Sequence, residues 1–374
     1  MKIGINARVL SSPSLRGWNR YTLNLIIALG NEGADLVLYS DAELADVHAA
    51  RLPVDRCEIR ISPPMRYPAW EQSWLPRQCA GDRVEVLHCP VNFGLPWRRP
   101  CPTVLTLHDS IDVANPPPLL HRLTPSAIRT NAYHWVARTR ASHIITPSAY
   151  SKDDLIRYLR LSPERITVVH EAADPRFHDP VSDEERTRVR TRYDLQRPHV
   201  FYIGGWEGRK NVPFLVRAFA AAQVSDTDLL LAGGSQAEIG EMTALATSLG
   251  IADRMRLVAA VPDEDLPALY AGALCFVYPS VYEGFGLQLC ESMAVGCPTL
   301  ACNATSLPEV LGDGGDTFQR QDPGELTEQL QRVARDGSYR DSLAERAERR
   351  GREFSWGQTA IDTLAVYGTL VGAR

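Results

Sequence analysis

Two glutamates eight residues apart, Glu283 and Glu291, flank a glycine loop in the stretch Tyr278–Glu309, YPSVYEGFGLQLCESMAVGCPTLACNATSLPE. The pattern predicts a short apolar strand at Cys275–Tyr278, a loop of Glu283, Gly284, Phe285 and Gly286, and a helix over Leu287–Val295 closed by Gly296 and Pro298. Glycine-exposed amides at the start of a helix, together with the helix dipole, can hold an anion. Glu291 shares its helix with Leu287, Cys290 and Ala294 and lies at the edge of the apolar face they define. Helical side chains lean toward the N-terminus, so Glu291 points at the loop. A carboxylate there can accept both hydroxyls of a ribose. Anion-binding amides beside hydroxyl-binding carboxylates suit a sugar phosphate or a nucleotide. The plain alternative, a βα loop with two surface glutamates, fits poorly with the apolar neighbours of Glu291.

A second chemical stretch is Tyr202–Asn211, YIGGWEGRKN. A strand runs into Gly204 and Gly205, then two adjacent cations, then a helix. Arg209 can fork onto phosphate, and Lys210 supplies a point charge. The alternative is a solvated Arg-Lys pair. The run does not match GxxxxGK[ST], so it is no P-loop. A third stretch, Arg16-Gly17-Trp18-Asn19, follows the first expected strand. Gly17 either lets backbone approach a ligand or forms a tight βα turn. GxGxxG is absent there, and no acid follows the second strand at Tyr39-Ser40, which disfavours an ordinary NAD site. His108, at the end of an apolar strand (Thr103–Leu107), is balanced between a structural hydrogen-bonder and a site residue. His88 is a weaker candidate. No HxH or HExxH spacing supports a metal site, and no GxSxG or Cys–His signature supports an acyl-transfer nucleophile.

A frame must hold these residues. A chain of 374 residues exceeds the usual single core, so two domains are expected. Strand–helix alternation runs from strands near Ile3–Ala7 and Leu36–Tyr39 to Thr167–His170, and argues for a mainly parallel sheet covered by helices. The prolines of Asn115–Pro118 mark a loop. A Pro- and Asp-rich segment after Glu171 marks the boundary, placing one α/β domain at 1–172 and another at 173–355. Alternation resumes at Val200–Ile203 and ends with the strand Thr299–Cys302, before closing helices. A single helix is expected over Trp70–Gln78. The last helix, in 356–374, has Trp, Ile, Leu, Val and Tyr at helical spacing and suits either packing back on the first domain or joining the core of the second. Two such units in series leave a cleft, with ligands beyond the strands' carboxyl ends.

Residues 1–172 carry net +4 and residues 173–374 net −9. A basic first half can meet an anionic acceptor or a membrane surface, and ordinary fluctuation between solvated faces accounts for it equally well. No run approaches the roughly 20 apolar residues of a membrane span. MKIGINARVL leads straight into a strand and lacks a signal peptide's apolar core. The eight scattered cysteines, with no CxxC pair, read as buried thiols of a reducing cytoplasm.

Taken together, these residues resemble the retaining nucleotide-sugar glycosyltransferases of family 4, of the GT-B fold, in which two Rossmann-like domains face each other across a cleft. Glu283 through Glu291 matches that family's E-x7-E pattern. GGWEGRKN, TPSAYSKDDL, ITVVHEAADPRF and RGWNRYTLNL are similar to further family elements in the same order. A common Asn-Gly is Glu171-Ala172 here, and a usual glycine pair is reduced to Gly17. Within the family the chain looks most like bacterial mannosyltransferases of polysaccharide assembly.

The resemblance implies a first, acceptor-side domain and a second, donor-binding one. It implies retention of configuration and transfer of a hexose from a nucleotide diphosphate sugar, GDP-mannose or a UDP-sugar. The acceptor would be a sugar, lipid-linked or small-molecule hydroxyl. His108, Arg209, Lys210 and Glu283 would act at the reacting centre. His108 would contact the donor sugar, the two cations would neutralise the diphosphate, and Glu283 would hold the sugar's 3- or 4-hydroxyl. Gly17, Gly205, the backbone at Val261, Gly284, Phe285, Gly286, Leu287 and Glu291 would bind the donor, with Glu291 on the ribose. No metal or other cofactor is implied, and no nucleic-acid partner. The implied location is cytoplasmic, with peripheral contact at the inner face of the membrane. Two same-fold alternatives are a nucleotide-sugar 2-epimerase and a non-catalytic partner subunit. A glycosidase, which also uses two carboxylates, would not need phosphate-binding features.

Overall fold

The computed structural model describes residues 1–13, 17–114 and 124–372. The chain divides into two compact units, Met1–Glu171 together with the stretch from Ser355 onward, and Ala172–Phe354. The prolines of 115–118 lie outside the described residues.

In the first unit the strands are β1 (Lys2–Asn6), β2 (Asp35–Ser40), β3 (Cys57–Ile61), β4 (Val86–Cys89), β5 (Thr103–Thr106), β6 (His143–Thr146) and β7 (Ile166–Val168). They pair in parallel in the order β3-β2-β1-β4-β5-β6-β7. In register, Ile3 of β1 lies between Leu36 of β2 and Val86 of β4. The inner strands β1, β4, β5 and β6 are apolar and buried almost throughout, as a sheet covered on both faces requires. At the edge, β3 leaves Ile59 and Ile61 exposed. Helix Gly17–Asn31 buries Leu23, Leu25, Ile26 and Leu29. The last helix, Trp356–Val371, packs against it. Tyr21 meets Trp356 edge to face at 5.8 Å, and the Thr359 hydroxyl donates to the His170 carbonyl at 2.8 Å. Periodicity left this helix free to join either domain, and tertiary contacts decide for the first unit.

The single helix expected over Trp70–Gln78 is broken into a turn at Tyr67–Ala69, a π-helical turn at Trp70–Trp74 and an α-helix at Leu75–Gly81. Pro76 has no N–H to give back to the preceding turn, so a wider turn precedes it at low cost. The widening also stacks Trp70 on Trp74 at 6.1 Å.

The second unit contains β8 (His199–Ile203), β9 (Asp228–Ala232), β10 (Met255–Val258), β11 (Ala273–Tyr278), β12 (Thr299–Cys302) and β13 (Asp316–Phe318), in the order β10-β9-β8-β11-β12-β13. Strand β13 has no counterpart in the sequence reading. Its three residues are too few to show a period, and only their pairing with Leu300–Cys302 makes them a strand. Helix Asp183–Arg192 opens the unit behind a capping box formed by Ser182 and Glu185. Asp265, fully buried, accepts from the Tyr193 hydroxyl at 2.6 Å and pairs with Arg192 at 3.0 Å and with Arg188. This cluster anchors the helix to Leu266–Ala271.

The strand order reverses between β1 and β4 in one sheet and between β8 and β11 in the other. In open α/β sheets the crevice beyond the carboxyl ends at such a point is where ligands bind. All eight cysteines are free, and seven are buried. Among the described residues, no helix is long and apolar enough to cross a membrane.

Candidate active site

The switch point of the second sheet gathers most of the charged residues singled out by sequence. Strand β8 ends at Ile203 and turns through Gly204, whose φ is +153°. The chain then runs through Gly205 to Arg209 and Lys210, and Asn211, in the left-handed region, leads into helix Val212–Ala222. Next door, β11 ends at Tyr278, and Gly286, with φ +107°, caps helix Leu287–Ala294. The two loops are tied together: the Val281 N–H donates to the Arg209 carbonyl at 2.8 Å.

Glu283 sits where these loops meet. Its Oε1 lies 2.6 Å from Lys210 Nζ, 3.0 Å from Arg209 Nη1 and 2.5 Å from Ser280 Oγ. Lys210 is only 6% exposed, with Nζ 3.3 Å from the Tyr278 hydroxyl, which itself donates to Gln288 at 3.0 Å. Burial pushes the Glu283 carboxyl up. The charges of Lys210 and Arg209, with hydrogen bonds from Lys210 and Ser280, outweigh that and hold it below the usual carboxylate range. Arg209 also reaches Glu207 at 2.8 Å and the Tyr282 carbonyl at 3.1 Å. The result is a rigid array of two cations and one carboxylate beside a helix N-terminus, suited to a ligand carrying both phosphate and hydroxyls.

The Glu283–Phe285 loop is fixed from behind by Thr305 and Ser306. The Glu283 N–H donates to Thr305 Oγ1 at 3.0 Å, and Ser306 Oγ lies 3.0 Å from the Glu283 carbonyl and 2.9 Å from that of Phe285. Thr305 has φ +52°, a strained value for a β-branched residue, held by these bonds. Sequence reading did not single out Ser280, Thr305 or Ser306, although a Thr-Ser pair just past an apolar strand was a signal. It also passed over Gly233-Gly234-Ser235, another glycine turn between strand β9 and helix Gln236–Ser248. A Cβ on Gly233 would lie 2.1 Å from the Gly204 carbonyl oxygen, and one on Gly234 would strike the Trp206 ring. The two glycine turns therefore pack directly on each other.

Glu291 is buried one helical stretch away, and its Oε2 accepts from the Tyr270 hydroxyl at 3.1 Å. Gly284, Phe285, Gly286 and Leu287 form the loop and first turn of that helix, with Phe285 edge-on to Phe354 at 5.9 Å. Gly205 belongs to the β8 turn. Val261 follows the edge strand β10, away from the Glu283 cluster in sequence, just before the turn Asp263–Asp265.

Gly17 and His108 belong to the first unit. Gly17 opens its helix, and a Cβ there would meet nothing within 4 Å, so its protein neighbours do not demand glycine. His108, 8% exposed, follows β5. Its Nδ1 lies 2.9 Å from Glu171 Oε1 and its Nε2 2.9 Å from the Pro90 carbonyl oxygen. Both partners accept only, so both ring nitrogens carry protons and the ring is an imidazolium. Burial lowers the His108 pKa, but the hydrogen bond and charge of Glu171 overcome this and the net shift is upward. Tyr21, one turn into the Gly17 helix, packs edge to face on the same ring at 4.6 Å.

His88 is the contrasting case. Fully buried, it joins the Tyr367 hydroxyl (2.6 Å) to Thr106 Oγ1 (2.8 Å), which lies 3.1 Å from the Tyr21 hydroxyl. Burial, aided by the charge of His108, lowers its pKa to about 3, so it is neutral and structural. Among the described residues, no group of three His, Cys, Asp or Glu side chains lies close enough to hold a metal ion.

Two Rossmann-like parallel sheets, the second with this array at its switch point, define the GT-B class of glycosyltransferases. The "Glycosyltransferase Family 4" model matches residues 15–177, and the "Glycosyl transferases group 1" model matches residues 183–350. The O-antigen chain mannosyltransferase B of Escherichia coli is 30% identical over 99% of this chain and 100% of its own length. The D-inositol 3-phosphate glycosyltransferase of Salinispora tropica is 33% identical over 62% of this chain and 52% of its own. The chain belongs to glycosyltransferase family 4. Among solved structures, sucrose-phosphate synthase of Thermosynechococcus elongatus superposes with a TM-score of 0.78 at 20% identity over the whole of both chains. The Anabaena protein HepE in complex with UDP and glucose gives 0.77 at 17% identity, covering 99% of this chain and 100% of that one. At these identities the likeness is one of fold.

Proposed function

We propose that the protein transfers a hexose, with retention of configuration and without a metal, from a nucleotide diphosphate sugar to a hydroxyl of a glycan, lipid-linked or small-molecule acceptor. The observation that carries this reading is the convergence of Lys210, Arg209 and Ser280 on one oxygen of Glu283 beside the Gly286 helix start. All three contacts fall on Oε1, and Oε2 would receive a sugar hydroxyl. Mannose is the preferred sugar, since the full-length relative from Escherichia coli is named a mannosyltransferase. GDP-mannose is then the first donor to test, with UDP-sugars next.

Arg209 and Lys210 stabilise the diphosphate as the anomeric carbon–oxygen bond breaks, which is the charge a metal would otherwise neutralise. The acceptor oxygen bonds to the same face of the anomeric carbon, and its proton passes to the leaving phosphate oxygen. Amides of Gly284, Phe285, Gly286 and Leu287 hold phosphate and sugar oxygens, with Gly205 and Gly17 letting backbone come close to the donor. Glu291 holds the ribose, exchanging the Tyr270 hydroxyl's company for that of the ligand, and the backbone at Val261 reads the base. His108, a fixed cation, is proposed to contact the donor sugar. This work belongs in the cytoplasm, at the inner face of the membrane.

A thermal-shift panel of UDP-, GDP-, ADP- and dTDP-sugars tests the donor. A ligand at 100 times its dissociation constant stabilises the fold by about 2.7 kcal/mol. Glu291→Ala should lose nucleotide affinity while keeping the fold, and wild-type binding by that variant would remove the ribose role. Anomeric configuration of the product, read by NMR, decides retention. Turnover of the donor without any acceptor, giving the 2-epimer, would turn the reading to an epimerase.

A further inference from the structure

Strand β3 closes one side of the first sheet, and β2 is its only neighbour among the described strands. Its backbone groups divide between two directions. The Leu36 N–H donates to the Arg56 carbonyl at 2.9 Å, and the Ser62 N–H donates to the Ser40 carbonyl at 3.1 Å. Alternation between those two bonds turns the N–H and C=O of Glu58 and Arg60 toward β2. The same groups of Cys57, Ile59 and Ile61 then point outward, and among the described residues no backbone bond reaches them. The side chains at this edge are open as well: Ile59 is 41% exposed and Ile61 45%.

An unpaired edge is a template for another strand, and charged side chains are a common guard against such pairing. One reading of Glu58 and Arg60 is that they are such guards. They are of opposite sign, however, with Ile59 midway between them, and this makes the edge complementary to itself. Run antiparallel about a two-fold axis through Ile59, two copies of β3 set Ile59 against Ile59, Cys57 against Ile61, and Glu58 against Arg60. The outward residues fall in the hydrogen-bonded pairs, where each donates one bond and accepts one. Glu58 and Arg60 fall in the alternate pairs, where side chains come closest. An axis through Glu58 would set Glu58 on Glu58, and one through Arg60 would set Arg60 on Arg60. Like charges directly opposite destabilise a strand pair, so charge selects the register in which the free backbone groups are best paired. Within one chain Arg60 lies 2.6 Å from Glu58 and 3.4 Å from Asp82, and Lys2 lies 3.8 Å from Glu58. Glu58 and Arg60 are solvent-exposed, so contacts across the axis replace their mutual pair at little cost.

We propose that β3 pairs with β3 of a second copy of this chain, joining two seven-stranded sheets into one continuous sheet in a symmetric dimer. The contact is one short strand wide, so the dimer is a reversible one. Strand β2 separates this edge from β1 and the switch point of the same sheet. The pairing does not rest on the reaction proposed above, and it is measured without any sugar donor.

The test is sedimentation velocity of the full chain over a concentration series. The wild type should show a monomer–dimer exchange that depends on concentration. Glu58→Arg puts two arginines on each edge, and Arg60→Glu puts two glutamates there. Each should weaken self-association by roughly 10–100-fold, since both cross-axis pairs turn from attraction to repulsion. An equimolar mixture of the two variants should recover association to within a few-fold of wild type, because every Arg again faces a Glu. Damage to the fold of either variant could not produce that recovery. Ile59→Pro removes an outward N–H and spares the bonds to β2, so it should abolish the dimer, and it serves if a charge variant folds poorly. A wild type that stays monomeric up to its solubility limit would overturn the proposal. So would undiminished dimers in both charge variants, no recovery on mixing, or a dimer that survives Ile59→Pro.

Discussion

The two switch points share a topology and differ in how they hold charge. In the second unit, Arg209, Lys210 and Glu283 come from loops on adjacent strands, and the loops are bonded to each other through Val281 and Ser280. Burial there is offset by opposite charges in direct contact, so the array is held rigidly. In the first unit, charge is rationed. His108 is held as a cation by Glu171, 63 residues away, while His88 beside it is kept neutral by burial and bonded to Tyr367, 279 residues away. One sheet end gathers paired charges from adjacent loops, and the other ties its polar groups to distant elements of its own unit, including the last helix. The same fold can therefore balance its buried polar groups through neighbouring loops or through distant elements.

The sharpest way to break this contrast is Lys210→Ala. If the second switch point is an electrostatic device, transfer should fall by about 10²–10³-fold. Leaving Glu283 short of a buried partner should also cost roughly 3–5 kcal/mol in urea unfolding. Activity within a few-fold of wild type would mean that the array is structural.

Gly233→Ala probes the packing that supports the array. The φ of +105° and the contact with the Gly204 carbonyl leave no room for a Cβ, so a loss of at least about 2 kcal/mol is expected. Unchanged stability would show that the two glycine turns separate easily.

Glu171→Gln sharpens the first-unit side, with an expected loss of about 1–2 kcal/mol at neutral pH. The pH profile carries more information. The folded-state pKa of His108 is raised, so its contribution is complete below the ordinary histidine value of 6.5 and is lost as pH climbs through the raised pKa. Asp109 adds to the upward shift, while Tyr21 packs on the ring with its own ionisation pushed out of range by burial. For His88 the sign is opposite: its lowered pKa means stability is lost as pH falls below 6.5 toward 3. Glu171→Gln should flatten the alkaline limb of stability and leave the acid limb alone. An alkaline limb identical to wild type would detach Glu171 from the state of His108.

Most of the residues gathered at the second switch point were legible in order along the chain. Glu283, the glycine loop and Glu291 fall within one strand–loop–helix unit, and Arg209 and Lys210 follow a strand and two glycines. Such signals are local: helical spacing, strand runs and glycine turns are written within about ten residues. The residues that hold Glu283 in place were not legible in that way. Thr305 and Ser306 reach it across 22 and 23 residues, and their bonds exist only once β12 lies beside β11.

By itself, the sequence determined the alternation of strands and helices, the division into two α/β units and the charged turns that follow the β8 and β11 strands. These rest on short-range sterics and on apolar periodicity, which each segment carries alone. Tertiary structure decided which sheet the last helix serves, that Asp316–Phe318 is a strand, that the helix before Pro76 opens into a π-turn, and that His108 is charged while His88 is not. Each of these depends on a partner far along the chain or on the loss of water around a group, and neither exists until the core has closed.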